Sequence, residues 1–330
     1  MRKFTSPFGI AALSALSALT SVAALAADGQ TSDPGTINLQ IADATASPPA
    51  SSDMPLLSND QGGGDSGGGF FSDYFARVEE AQASQPHWMT PLVTVTPRLE
   101  QEVRYDQYWD HRGNGSSLDI SDSGKGLELI PTETNEVLIN PPAWQDKLNV
   151  KHPVSGWLDD QFLVVKQRLL SENEDNGNYI VTTFLGVTAP SGNTNFTNHA
   201  WIVTPTLVAG KGWGDFDIQA TTGVAFPFRN QSTLGTSIAT NVAFQYHLYE
   251  YLWPEFEINH TYWADGNERG GKNQVLLTPG IIFGRFVISG RIKVIIGTGY
   301  QFAVSPKYAS TSEQTPAYDR SWLMTSRLTF

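Results

Sequence analysis

The sequence predicts an all-β fold, a transmembrane antiparallel β-barrel of about twelve strands, preceded by a disordered linker and a short helix. Three observations predict it. From about Thr90 onward, apolar and polar residues alternate with period two. The alternating segments run about 10–15 residues, longer than the ~5–6 of globular strands and suited to a tilted membrane strand. Beyond the first 26 residues no run approaches the ~18 apolar residues of a membrane helix, so any crossing must be made by strands.

Composition narrows the classes further. The 330 residues are 40% hydrophobic and 11% aromatic, with 30 Gly and no Cys. That is too polar for a helical bundle in lipid and suits strands, tight turns and interfacial aromatics. The absence of Cys removes disulfides, thiolate metal sites and Cys nucleophiles. The formal charge is −12, and loss of Arg2 and Lys3 with a leader would take it to −14. An acidic surface argues against nucleic acid as a partner.

The elements follow in order. Arg2 and Lys3 precede an apolar Ala/Leu-rich run, and Ala24-Leu25-Ala26 is a small-x-small cleavage site, so residues 1–26 read as a signal peptide. Residues 27–69 are Ser/Pro/Gly-rich, end in the run GGGDSGGG, and read as a linker without a core. Residues 70–90 form a short amphipathic helix and its lead-in. Phe70, Phe71, Tyr74, Phe75 and Val78 share a helical face over Phe70–Ala83. Such a helix could pack under the barrel or act as a movable plug.

Residues 91–330 form the barrel. Strands are expected near 92–109, 125–131, 136–144, 156–170, 178–189, 198–210, 214–228, 234–248, 251–264, 273–285, 290–304 and 318–330. The second and third make a hairpin only if residues 132–135 turn. In the first, Val95, Pro97, Leu99, Val103 and Tyr105 take the lipid face, opposite Arg98, Glu100, Glu102 and Arg104. The last sets Trp322, Met324, Leu328 and Phe330 against Arg327. Short links at 171–177, 211–213, 249–250 and 286–289 alternate with long ones at 110–124, 145–155, 190–197, 265–272 and 305–317, which places the short ones on the periplasmic side. Aromatics near the strand ends fit interface girdles: Trp109, Trp144, Trp157, Trp201, Trp213, Tyr249, Tyr251, Trp253, Trp263 and Trp322.

Charges inside a membrane barrel must face water or one another. Candidate lumen residues are therefore Arg98, Glu100, Glu102, Arg104, Asp215, Asp217, Glu255, Glu257, Arg291, Lys293 and Arg327. Both signs alternate closely, so they either line a pore or form a structural ion-pair network. Phe330 ends the chain as a terminal aromatic of the kind read by the barrel-assembly machinery, the expected partner during biogenesis.

No catalytic residues are assigned. His199 and His260 each follow an Asn, but neighbours on a strand point to opposite faces, so neither pair acts together. Six scattered His residues and no Cys give no metal-ligand spacing. Asp106, Asp110 and His111 make only a loose acidic cluster, and Asp119 and Asp122 at most a calcium loop. No cofactor is expected.

Two stretches, GVTAPSG at 186–192 and GLELIPTETNEVLINPP at 126–142, resemble an outer-membrane transporter family associated with the meta-cleavage pathway of phenol degradation. Ser191 stands where that family usually has Thr. The resemblance implies an outer-membrane, porin-like channel for small molecules, embedded in lipid, with aromatic or hydrophobic solutes in view. A surface-interaction barrel with a filled lumen is the alternative.

Overall fold

The computed structural model describes residues 69–112, 115–122, 126–267, 269–305 and 318–330. The leader expected at 1–26, and the linker up to residue 68, lie outside the described residues. So does most of the expected loop at 305–317.

Helix α1 spans Phe70–Ala83. Fifteen strand segments follow: β1 Glu102–His111, β2 Ser117–Ser121, β3 Leu127–Thr132, β4 Asn135–Ile139, β5 Trp144–Leu148, β6 Val154–Trp157, β7 Asp160–Glu172, β8 Tyr179–Ala189, β9 Ile202–Trp213, β10 Phe216–Pro227, β11 Ser237–Tyr246, β12 Leu252–Trp263, β13 Lys272–Ser289, β14 Ile292–Ser305 and β15 Arg320–Thr329. A one-turn helix α2, Gln231–Leu234, sits between β10 and β11.

All neighbours pair antiparallel, and β15 closes on β1 from Glu102↔Thr329 to His111↔Arg320. Closure leaves no sheet edge to lipid. Six of the segments are halves of three broken staves. β2 and β3 both pair with β1, β5 and β4 pair with β2 and β3, and β6 and β7 pair with β5 and β4. The described residues therefore form twelve staves. The breaks have local causes. Pro141 and Pro142, which cannot donate to a ladder, separate β4 from β5, and Asp122 at φ 62 ends β2.

Alternation is kept along the wall. On β15, Trp322, Met324 and Leu328 are exposed while Ser321, Leu323, Thr325 and Arg327 are buried. The outer face carries exposed Val103, Leu185, Phe256, Ile296 and Leu328 between two aromatic levels. Trp109, Trp201 and Trp322 mark one level, with Trp109 and Trp322 in cross-strand register, and Trp213, Tyr249 and Tyr251 the other. The short turns 133–134, 173–178, 214–215, 247–251 and 290–291 share a rim with Phe330 and α1, and the longer loops take the opposite rim. A closed antiparallel barrel with an apolar outer belt, an even stave number and short turns on one rim is the architecture of bacterial outer-membrane proteins, and the chain is one by that architecture.

Three expectations are corrected. The first strand starts at Glu102 rather than near residue 92, because residues 85–101 leave the wall and run through the lumen. Val95, Pro97 and Leu99 accordingly have no lipid face, and Leu99 is fully buried against Val78, Ala81 and Ile130. The links expected at 110–124 and 145–155 are largely wall, since they contain β2, β5 and β6. Trp253 and Trp263 leave the girdle: they lie on the inward face of β12 with Glu255 and Glu257, buried, and Trp253 stacks on His247 at 4.1 Å.

Candidate functional site

The lumen is the site, and its periplasmic half is occupied by the chain's own residues 85–101. Three prolines (Pro86, Pro91, Pro97) keep this segment out of any ladder. It is buried on both faces from Trp88 onward apart from half-buried Val93 and Val95. Its backbone amides and carbonyls therefore need partners from the wall.

Wall residues, most of them charged, supply them. Glu257 accepts from the Val93 and Thr94 amides at 2.7 and 2.6 Å, and Glu255 accepts from the Leu92 amide at 3.1 Å. Arg327 donates to the Thr90 and Pro91 carbonyls at 2.6 and 2.9 Å. Arg104 donates to the Leu92 carbonyl at 2.7 Å and pairs with Asp106 at 2.9 Å. Gln219 donates to the Met89 carbonyl at 2.8 Å, Arg285 to the Trp88 carbonyl at 2.8 Å, and Thr182 to the Pro97 carbonyl at 2.6 Å. Hydrogen bonds to charged groups contribute about 1.5–3 kcal/mol each, so this set holds the plug firmly.

Two apolar knobs complete the seat. Leu92 enters a hollow on the inner wall cleared by Gly280, Gly297 and Gly299. A Cβ on Gly297 or Gly299 would stand 2.9 or 2.8 Å from a Leu92 methyl, closer than real Cβ contacts allow. Trp88 lies over Gly210 and Gly212 in the same manner. Glycine on a strand marks the close approach of another segment, and here that segment is the plug.

Above the plug the lumen changes character. Asn259 is the hub of an uncharged belt. Its Oδ1 accepts from Thr278 at 2.8 Å and from Gln301 at 2.7 Å, and its Nδ2 donates to Asn241 at 3.3 Å. Amides and hydroxyls meet at this level, and further charged groups, Asp110, Arg112, Lys147 and Arg269, are buried nearer the extracellular rim.

The residues singled out in the sequence distribute as follows. Glu102, Arg104, Asp217, Glu255, Glu257 and Arg327 are buried on the inner wall. Arg98 and Glu100 are in the lumen but on the plug, not the first strand. They pair with each other at 3.0 Å, and the Glu100 amide donates to Glu136 at 2.6 Å. Asp215 is exposed in the turn between β9 and β10. Arg291 is in the β13–β14 turn, ion-paired with Glu79 of α1 and 4.2 Å over the Phe75 ring. Lys293 lines the periplasmic mouth. Phe330 follows β15, half-buried, and its amide donates to the Gln101 carbonyl at 3.1 Å. Sequence reasoning missed Lys166, which bridges Glu136 at 2.7 Å and Glu128 at 3.7 Å, and missed Gln219 and Arg285. Their inward parity on β7 and β10 was a usable signal, but Arg285 sits at a bulge with φ 61 that breaks parity.

His199 is exposed in a loop, and His260 is on β12 opposite Thr240. Among the described residues no group of three His, Asp or Glu side chains is arranged to hold a metal.

Solved structures with similar chains include an outer membrane channel from Pseudomonas putida F1, at 14% identity and TM-score 0.46, covering 69% of this chain and 94% of that one. The NanC porin follows at 8% identity and TM-score 0.42, covering 68% and 98%. OmpT of Vibrio cholerae follows at 9% and 0.37, covering 69% and 95%. No curated protein matches the chain. Residues 142–321, more than half of the chain, match the family described as putative MetA-pathway of phenol degradation, and the chain belongs to that family.

Proposed function

We propose that this protein is a porin-like channel through which small molecules cross the bacterial outer membrane passively, with aromatic or hydrophobic solutes the class the family description indicates. One observation carries the reading. The segment that fills the lumen is held by hydrogen bonds and two knobs on a polar inner wall, and is not a stave of the wall itself. A lumen closed in this way opens when the segment shifts, with the barrel intact. Nothing in the proposal requires a catalytic group. The lipid of the outer membrane and a small solute are its partners, with the assembly machinery reading Phe330 during biogenesis.

Planar-bilayer conductance and liposome swelling with the full chain test it. Discrete conductance, or solute-dependent swelling, is expected from the parent or from a variant whose seat is weakened. Their absence from both overturns the proposal. A second reading, a surface-interaction barrel with a permanently filled lumen, is favoured by the close fit of Leu92 into its glycine hollow. That reading requires silence from the parent and from the loosened variant alike.

A further inference from the structure

Beneath the plug lies a chamber of about 260 Å³, bounded by α1, residues 87–100 and the ends of β1, β13, β14 and β15. A second hollow of about 450 Å³ shares Glu79, Gln82, Lys293 and Thr329 with it and runs past Gly290 to the periplasmic rim. The chamber is therefore reached from the periplasmic side.

Its charges do not balance. Glu79 is taken by Arg291, and Glu100 by Arg98 and the Thr90 hydroxyl. His87 is tied to Glu174 at 2.9 Å. Arg285 spends one donor on the Trp88 carbonyl and meets no carboxylate within ion-pair distance among the described residues. Lys293 likewise has no ion-pair partner among them. Arg98 is 5% exposed, and its Nε, fully buried, is without a hydrogen-bond partner there. Against these stands one carboxylate, Glu102, with an oxygen also unpartnered. Two cations thus outnumber the one carboxylate in a confined space, and a low-dielectric wall magnifies the excess. Met89 and Ile295 give the same chamber an apolar side. Its volume falls below the ~300 Å³ at which drug-sized pockets begin, which limits the occupant to a small molecule.

We propose that this chamber is a binding site for a small carboxylate with an apolar body. Arg285 and Lys293 take the carboxylate, and Met89 and Ile295 take the body. The inference deepens the channel reading and rests on it for its purpose, making the chamber the periplasmic station of the path, while its geometry stands alone.

Benzoate is the probe and benzamide, its neutral isostere, the control. Calorimetric titration of the full chain in detergent micelles is expected to give saturable benzoate binding with a Kd of about 1 mM or tighter and none for benzamide. Lys293→Met is expected to weaken benzoate about tenfold, the scale of one charge-assisted hydrogen bond. Lys293→Arg should restore it. Heat-modifiable mobility checks that each variant is folded. No benzoate binding, equal binding of benzamide, or indifference to Lys293→Met in folded protein overturns the proposal. Conductance without benzoate binding would sink the site and leave the channel standing. Benzoate binding with no conductance or swelling would do the reverse.

Discussion

Arg104 and Arg327 face each other in register across the β1–β15 seam, and both guanidinium groups reach past the wall to carbonyls of the plug. Two like charges directly opposite on a sheet repel. Asp106 offsets one of them, and the carbonyls of Thr90, Pro91 and Leu92 accept from both. Seam and plug are therefore coupled. Arg327→Met should remove two hydrogen bonds to the plug without touching the outer belt. Expected is a folded barrel with higher conductance, or more frequent openings, than the parent in planar bilayers. Unchanged traces from a folded variant would disprove the coupling.

The Leu92 hollow predicts a non-additive pair. Leu92→Ala should destabilise by about 2–5 kcal/mol, as buried Leu truncations do. Gly297→Ala should cost about 1–3 kcal/mol in the parent by overpacking. In the Leu92→Ala background the Leu92 clash is gone while Thr325 Cγ2 and Ile282 Cγ1 still stand 3.0 and 3.2 Å from the added methyl, so Gly297→Ala should cost less than in the parent. Thermal unfolding of the four chains in detergent gives the coupling directly. Strict additivity would mean that Leu92 does not sit in the hollow.

Acid should loosen the plug at its entry. Burial tends to raise the Glu174 carboxyl, but donation from the His87 amide and ring outweighs it and holds the group below the ordinary carboxylate range. A depressed carboxylate stabilises the fold above its unfolded value, and that contribution is lost as pH falls through the folded value. Protection of the His87 amide against hydrogen exchange should therefore be high at neutral pH and fall in acid below the usual carboxylate range. Glu174→Gln should exchange faster already at neutral pH and lose the acid step. An acid step that survives in Glu174→Gln would assign it elsewhere.

Deleting Phe330 should reduce the yield of heat-modifiable, membrane-inserted protein more than it changes conductance per folded molecule. The residue lies past β15 and reaches the barrel through one backbone bond to Gln101, so its loss costs the finished wall little. Parent-level insertion after the deletion would remove the assembly role.

The wall was legible in the sequence because its physics is period two. β12, β14 and β15 each bury one parity and leave the other at least partly exposed, as the residues from 252, 292 and 320 announce. The plug was not, because residues 93–105 also alternate while the first nine of them run inside the barrel. The prolines at 91 and 97 were the signal against a strand, and the inward glycines at 210, 212, 280, 297 and 299 were the signal for something packed against the wall. Trp253 and Trp263 share parity with Glu255 and Glu257, so counting parity would have placed them inside. The charges on the wall were readable one strand at a time. Their common target, the carbonyls and amides of residues 88–97, could not be read without knowing that the segment turns inward.

The plug runs straight into β1 through Gln101, with no slack between them. A cylinder whose inner occupant is spliced to one of its seam strands cannot be finished first and filled afterwards through that seam. If the occupant lies in the trough before the last zipper closes, its carbonyls mask the two guanidinium groups that would otherwise push the closing strands apart. Residues 85–101 thus double as a template for their own enclosure, and a chain with those carbonyls displaced should meet its obstacle at the moment of sealing.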